Sequence, residues 1–221
     1  MRPLVVLRPE PGASATLVRA AALGLTATAV PLFVIEPLEW QAPATDAFDG
    51  LLLTSANAVR HAGAQLFGLR PLPVYAVGEA TAAAARAAGL SVELTGGSGV
   101  EELLDQLPLQ PRLLHLCGED RTASTDGQAI VAVPVYRSAP VRRPLGLDRL
   151  PGAIALVHSP RAGRRLAELV ADRKQVGIAA ISAAAANACG AGWAAVESAA
   201  CPNDAALLSL AARLCQQLDP K

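Results

Sequence analysis

Ser159 stands directly before Pro160, a pairing that opens helices. The serine hydroxyl accepts from first-turn N–H groups, and proline fits the first helical position without losing a bond. Ser55 holds the same place after Thr54, Gly78 precedes Glu79-Ala80-Thr81, and Ser182 precedes a run of alanines. Each follows an apolar run, so each marks the carboxyl end of a strand feeding the amino end of a helix. Open α/β sheets place their ligands there. The chemistry on offer is anion recognition, because free N–H groups and the helix dipole favour carboxylates and phosphates. Ordinary capping is the plain alternative for each residue. The functional expectation is that the four ends converge on one inter-domain cleft, with Thr81 lining it.

Tyr136 is the second candidate. A matching segment earlier in the chain carries Phe33 at its position, so an aromatic ring suits both places and only the later one adds a hydroxyl. Two readings stay open: a core aromatic with a wet tip, or a hydrogen-bond donor and general acid. His115 and His158 lie near strand ends and are candidates for lining a cleft. A serine hydrolase built on His158-Ser159 is not supported, since no GxSxG elbow is present and no acid is evident to orient the histidine. Gly96-Gly97-Ser98-Gly99 lacks the Lys and Ser/Thr of a phosphate loop and reads as a flexible connector. Cys117, Cys189, Cys201 and Cys215 show no CxxC spacing and read as reduced, mostly buried thiols rather than metal ligands.

The elements that must position these residues come in duplicate. Ser55 to Gly78 and Ser159 to Ser182 are both steps of 23 positions. The same offset of 104 relates Val92 to Val196 and Leu103-Leu104 to Leu207-Leu208. LVVLRPE at Leu4 matches LLHLCGE at Leu113, and VPLFVIEP at Val30 matches VPVYRSAP at Val133. Four matches in order indicate a duplicated α/β unit. The apolar runs predict strands at 4–7, 30–35, 51–53, 74–77, near 92 and at 113–116. Helices are expected over 15–23 (capped by Ser14 and closed by Gly24), 56–67, 80–88 and 100–107. Residues 36–48 and 139–151, rich in proline, read as crossover segments. Alternating strands and helices call for parallel sheets covered by helices.

Composition narrows the class. The 221 residues suffice for two domains of about 100 residues each, and 52% hydrophobic residues supply two cores. Net charge is zero, which excludes a global basic field for nucleic acid. No apolar run approaches the ~20 residues of a membrane helix. The start reads as a first strand rather than a signal peptide. Only Lys174 and Lys221 are lysines, the other basic residues being arginines suited to carboxylates.

In that order, LLLTSANAV, VYAVGEATAAAARAAGL, LLHLCGEDR, VPVYRS, HSPRAG and AAIS resemble the uroporphyrinogen-III synthase family over nearly the whole chain. The most specific parts are TS-x-N-A-V, VG-x-x-TA and VYR. The resemblance implies two related flavodoxin-like parallel-sheet domains with exchanged halves, 1–36 plus 140–221 and 37–139, joined by a two-stranded connection. It implies cyclisation of the linear tetrapyrrole hydroxymethylbilane to uroporphyrinogen III, with inversion of ring D, loss of water and no cofactor or metal. By resemblance Tyr136 is catalytic, and Arg8, Ser55, Asn57, Gly78, Thr81, Gly118, Ser159 and Ser182 bind substrate. A cytoplasmic monomer with a small-molecule substrate is expected, without membrane or nucleic-acid partners. Three positions depart from the family pattern. Ser182-Ala183-Ala184-Ala185 replaces a Gly-x-Thr-Thr turn, Cys117 replaces an arginine, and Leu7 replaces a threonine before Arg-Pro. The alternatives are a catalytically weakened paralogue acting as a two-lobed binding or regulatory module, and a flavodoxin-like nucleotide binder that the missing phosphate loop disfavours.

Overall fold

The computed structural model describes residues 1–97, 99–107, 111–120 and 129–218. Ser98 of the glycine run and Arg121 of the LLHLCGEDR motif lie outside these residues. The chain opens with β1 (Leu4–Val6), α1 (Gly12–Ala22), β2 (Ala27–Ala29) and β3 (Phe33–Pro37). Its middle contains β4 (Gly50–Leu53), α2 (Ala56–His61), β5 (Val74–Val77), α3 (Glu79–Ala87), β6 (Val92–Gly96), α4 (Val100–Asp105), β7 (Leu113–Gly118) and β8 (Ile130–Pro140). The last part contains β9 (Ile154–Val157), α5 (Pro160–Leu169), β10 (Gly177–Ala180), α6 (Ala183–Ala188), β11 (Ala195–Ser198) and α7 (Asp204–Gln217).

These elements form two compact units. One joins Met1–Val34 with Pro140–Lys221, and the other is Ile35–Ala139. The first has a five-stranded sheet in the order β11-β10-β9-β1-β2, parallel throughout. The second has a six-stranded sheet, β3-β8-β7-β4-β5-β6. From β8 to β6 it is parallel. β3 runs antiparallel to β8, since Leu38 N–H donates to Val135 C=O while Val141 N–H donates to Leu32 C=O. When repeat partners are exchanged (β1 for β7, β9 for β4, β10 for β5, β11 for β6), the two parallel orders coincide. The duplicated α/β class with exchanged halves is the observed architecture.

Burial explains the apolar runs. β1, β4, β9 and β10 are buried at every residue, because helices cover both faces of a parallel sheet. The period of two sorts each strand between cores. In the first unit Val5, Ala155, Val157, Ile178 and Ala180 face α5 and α6. Leu4, Val6, Ile154, Leu156 and Ala179 face α7. In the second unit Leu51, Leu53, Val74, Ala76, Leu114 and Leu116 share a cluster with Ala82 and Ala85 of α3. Leu52 and Leu113 pack with Leu103 of α4 on the other face. Small residues set helix spacing: a Cβ on Gly163 would lie 2.9 Å from the Ala185 carbonyl oxygen and 3.0 Å from Cys189 Sγ, so α5 and α6 meet through that glycine.

Several expected boundaries shift. α1 begins at Gly12, so Ser14 sits inside it rather than capping it. The Glu10 carboxylate accepts from both Ser14 N and Ser14 Oγ and does the work assigned to the serine. The strand expected at 30–35 begins later, as β3 (Phe33–Pro37) at the edge of the second sheet, while β2 (Ala27–Ala29), just before the expected span, completes the first. The helix expected over 56–67 is α2 followed by a 3-10 turn over Gly63–Leu69, with Gly63 at φ +65° between them.

Candidate functional site

Within the second unit, the carboxyl edge of the sheet gathers most of the candidates. β4 ends at Leu53, and Thr54 Oγ1 lies 3.0 Å from His115 Nε2. His115 is buried, so this bond ties β4 to β7 and the histidine does not line a cleft. Ser55 caps α2, its Oγ accepting from Asn57 N at 3.2 Å. Asn57 Oδ1 accepts from Arg60 at 3.4 Å. Gly78 opens α3 at φ +81°, a conformation that favours glycine, and no side chain caps this end. Thr81 is buried one turn in, its N–H donating to Gly78 C=O.

Tyr136 closes this edge. It pairs with Gly118 across β7 and β8, where the register shifts. A Cβ on Gly118 would lie 2.9 Å from Tyr136 Cζ and 3.1 Å from its hydroxyl oxygen, so the phenol rests on the bare glycine backbone. The ring is half-buried, and its neighbour is His61 at the end of α2, centroid to centroid 6.3 Å at 39°. Burial, reinforced by Arg60, holds His61 below its ordinary pKa. At neutral pH the phenol therefore faces an uncharged imidazole. His61 also lines a groove of about 550 Å³ with Pro37, Leu38, Trp40 and Gln65. The indole of Trp40 is fixed there by donation to Ala62 C=O at 2.8 Å.

In the first unit, Ser159 caps α5 by accepting from Ala162 N at 3.1 Å, and Ser182 caps α6 by accepting from Ala185 N at 3.3 Å. Phe33, the repeat partner of Tyr136, is buried with the Arg161 guanidinium 4.6 Å above its ring. Arg8 follows β1 and meets Asp204 at 3.2 Å. The sequence shows no acid for His158, yet the fold supplies one: His158 Nε2 lies 3.1 Å from Asp204 Oδ1. Thr16 Oγ1 and Arg19 donate to Oδ2 at 2.8 and 2.7 Å. Burial raises the Asp204 pKa, but the Thr16 hydrogen bond and the nearby His158 and Arg8 outweigh it and keep the carboxyl below its usual range. Burial and Arg8 lower His158 against the pull of Asp204. The neutral imidazole thus donates from Nε2 to a carboxylate. His158 Nδ1 has no hydrogen-bond partner among the described residues and Ser159 Oγ caps its helix, so the two are not joined as a hydrolase couple.

The structure therefore brings Ser55, Asn57, Gly78, Thr81, Gly118 and Tyr136 to one edge of the second unit. Arg8, Ser159 and Ser182 lie at the corresponding strand ends of the first. Sequence reasoning missed Asp204, Thr16, Arg19 and His61. The argument that isolates Tyr136 would also have found Asp204, whose repeat partner is the apolar Val100. Among the described residues, no group of three or more His, Cys, Asp or Glu side chains could hold a metal. Nor is any helix among them long and apolar enough to cross a membrane.

Solved structures share this architecture. The chain is similar to uroporphyrinogen-III synthetase from Helicobacter pylori 26695, with TM-score 0.66 and 20% identity over 97% of this chain and 100% of that one. It is also similar to a mutant uroporphyrinogen III synthase from the extremely thermophilic bacterium Thermus thermophilus, with TM-score 0.54 and 18% identity over 97% and 99% of the two chains. No curated protein sequence gives a significant match. The sequence profile described as uroporphyrinogen-III synthase HemD matches residues 14–209, nearly the whole length. The chain belongs to the uroporphyrinogen-III synthase family.

Proposed function

We propose that the chain cyclises hydroxymethylbilane to uroporphyrinogen III through the residues at these strand ends. The family match over residues 14–209 carries the reading. Tyr136 serves as acid: its hydroxyl donates to the hydroxyl leaving the substrate, the C–O bond breaks, and water departs. The proton lost later from the attacking pyrrole carbon restores the balance. Since this substrate expels its hydroxyl readily, most of the catalysis is positioning, which fixes the carbon that attacks.

Positioning falls to the strand ends. α3 offers N–H groups that no side chain caps, and the N–H groups at the start of α5 stand beside Ser159 and Pro160. Arg8, Ser55, Asn57 and Ser182 add side-chain donors, Thr81 lies buried behind the start of α3, and Gly118 gives the phenol its seat. The loss of the Gly-x-Thr-Thr turn at Ser182-Ala185 removes side-chain hydroxyls but leaves the main chain of α6 and its serine cap in place. No cofactor enters this scheme, and the protein acts as a cytoplasmic monomer. Expression in a bacterial strain lacking its own synthase tests the reading. Restored tetrapyrrole-dependent growth supports it, and failure of a soluble, folded chain to restore growth overturns it.

A further inference from the structure

Asp204 receives four donors: Arg8 and His158 on one oxygen, Thr16 and Arg19 on the other. Those partners come from the turn after β1, from α1 and from the end of β9, while Asp204 opens α7. The side chains of Asp204 and His158 are 11% and 7% exposed, and that of Arg8 is 34% exposed. The carboxylate is thus an internal anchor, and Arg8 is the member of the network that follows β1 at the sheet's carboxyl edge and still reaches solvent. Two further features fix its direction. The guanidinium lies against Gly12, where a Cβ would sit 2.4 Å from Nε and 2.7 Å from Cζ. Only one terminal nitrogen of Arg8 is engaged by Asp204.

The charges do not cancel. Two arginines, one carboxylate and a neutral imidazole leave the cluster with a single positive charge, while the buried carboxylate keeps the guanidinium from swinging freely. We infer that Asp204 is a positioning residue, which holds Arg8 over Gly12 so that its remaining N–H edge receives one carboxylate of the substrate. The inference rests on the proposed synthase activity and adds a residue to it. Asp204 touches no substrate and acts through the arginine. A pre-aimed arginine spares the substrate the cost of ordering that side chain on binding, equivalent to about three- to tenfold in affinity.

The test uses the full-length protein and hydroxymethylbilane, with KM and kcat measured separately. Gly12→Ala is the decisive variant, since its methyl group displaces the Arg8 guanidinium while Thr16, Arg19 and His158 keep their hold on Asp204. Alanine is also the better helix residue at the first position of α1, so thermal stability is held or raised. The expected result is a KM raised about three- to tenfold with kcat changed less than twofold. Asp204→Asn is expected to raise KM similarly, and combining it with Gly12→Ala is expected to add little, because both act on one arginine. An unchanged KM in Gly12→Ala, or effects of the two substitutions that simply multiply, overturns the inference. A wild-type protein that leaves the isomer ratio unaltered overturns the synthase reading and this inference with it. A normal wild type with an unaltered KM in both variants overturns this inference alone.

Discussion

Tyr136 and Phe33 occupy equivalent places in the repeat and meet different neighbours. Phe33 is buried beneath Arg161, whereas the Tyr136 phenol lies on Gly118 with His61 beside it. Because phenylalanine already fits the equivalent place, Tyr136→Phe should fold with unchanged stability. It should slow turnover by about 100-fold or less, the low end for one positioned proton donor, and release more isomer I by spontaneous closure. A wild-type rate and isomer ratio would reduce the tyrosine to packing. That singularity was legible in the sequence, because a repeat partner exposes what one copy adds. Asp204 stands out by the same comparison, but its partners were not legible, since they stand 46 to 196 positions away and meet it only on folding. The network also predicts a pH response. The folded pKa of His158 lies below its unfolded value of about 6.5, so the unfolded chain takes up the proton first. This contribution is constant above about pH 6.5 and is lost as pH falls from there toward the lowered folded value. Thermal unfolding at pH 8 and pH 5 should show the loss, and His158→Gln should reduce it. An identical loss in the variant would contradict the assignment.

Strands were easier to read than helix ends. Four-residue apolar runs such as Leu113–Leu116 are buried sheet strands as expected, and Gly24 and Gly89 end their helices at φ +70° and +78°. The serines before α2, α5 and α6 all cap, since each follows a strand and precedes a free helix start. Ser14 misled because the helix starts two residues earlier, at Gly12, and the Glu10 carboxylate accepts from the Ser14 N–H inside its first turn. The break between β2 (Ala27–Ala29) and β3 (Phe33–Pro37), which join different sheets, was hidden because local apolarity does not say which sheet a strand joins. Helix sequences also conceal close packing. Gly163 allows α5 to approach the Ala185 carbonyl, which must shift if a methyl group is added. Gly163→Ala should lower unfolding free energy by about 1–3 kcal/mol in denaturant titration, despite the better helix propensity of alanine. A neutral or stabilising result would show that α5 and α6 can separate without cost.

At the scale of the whole molecule, duplication governs both architecture and chemistry. The N-terminal strand β1 sits between β2 and β9, so the first sheet needs both ends of the chain, and the second unit is built from the uninterrupted middle. The fold class was readable because the offsets of 104 and 109 pair strands that take equivalent positions in the two sheets. The chemistry is read from where the copies diverge: Tyr136 in one, Arg8 and Asp204 in the other. The claim that these differences make a working synthase has a direct test. Hydroxymethylbilane generated continuously by purified hydroxymethylbilane synthase is supplied to the purified protein, and the oxidised uroporphyrin isomers are separated. The account predicts isomer III in large excess with wild type and a shift toward isomer I with Tyr136→Phe. Isomer I alone from the folded wild-type protein, as in its absence, would contradict it.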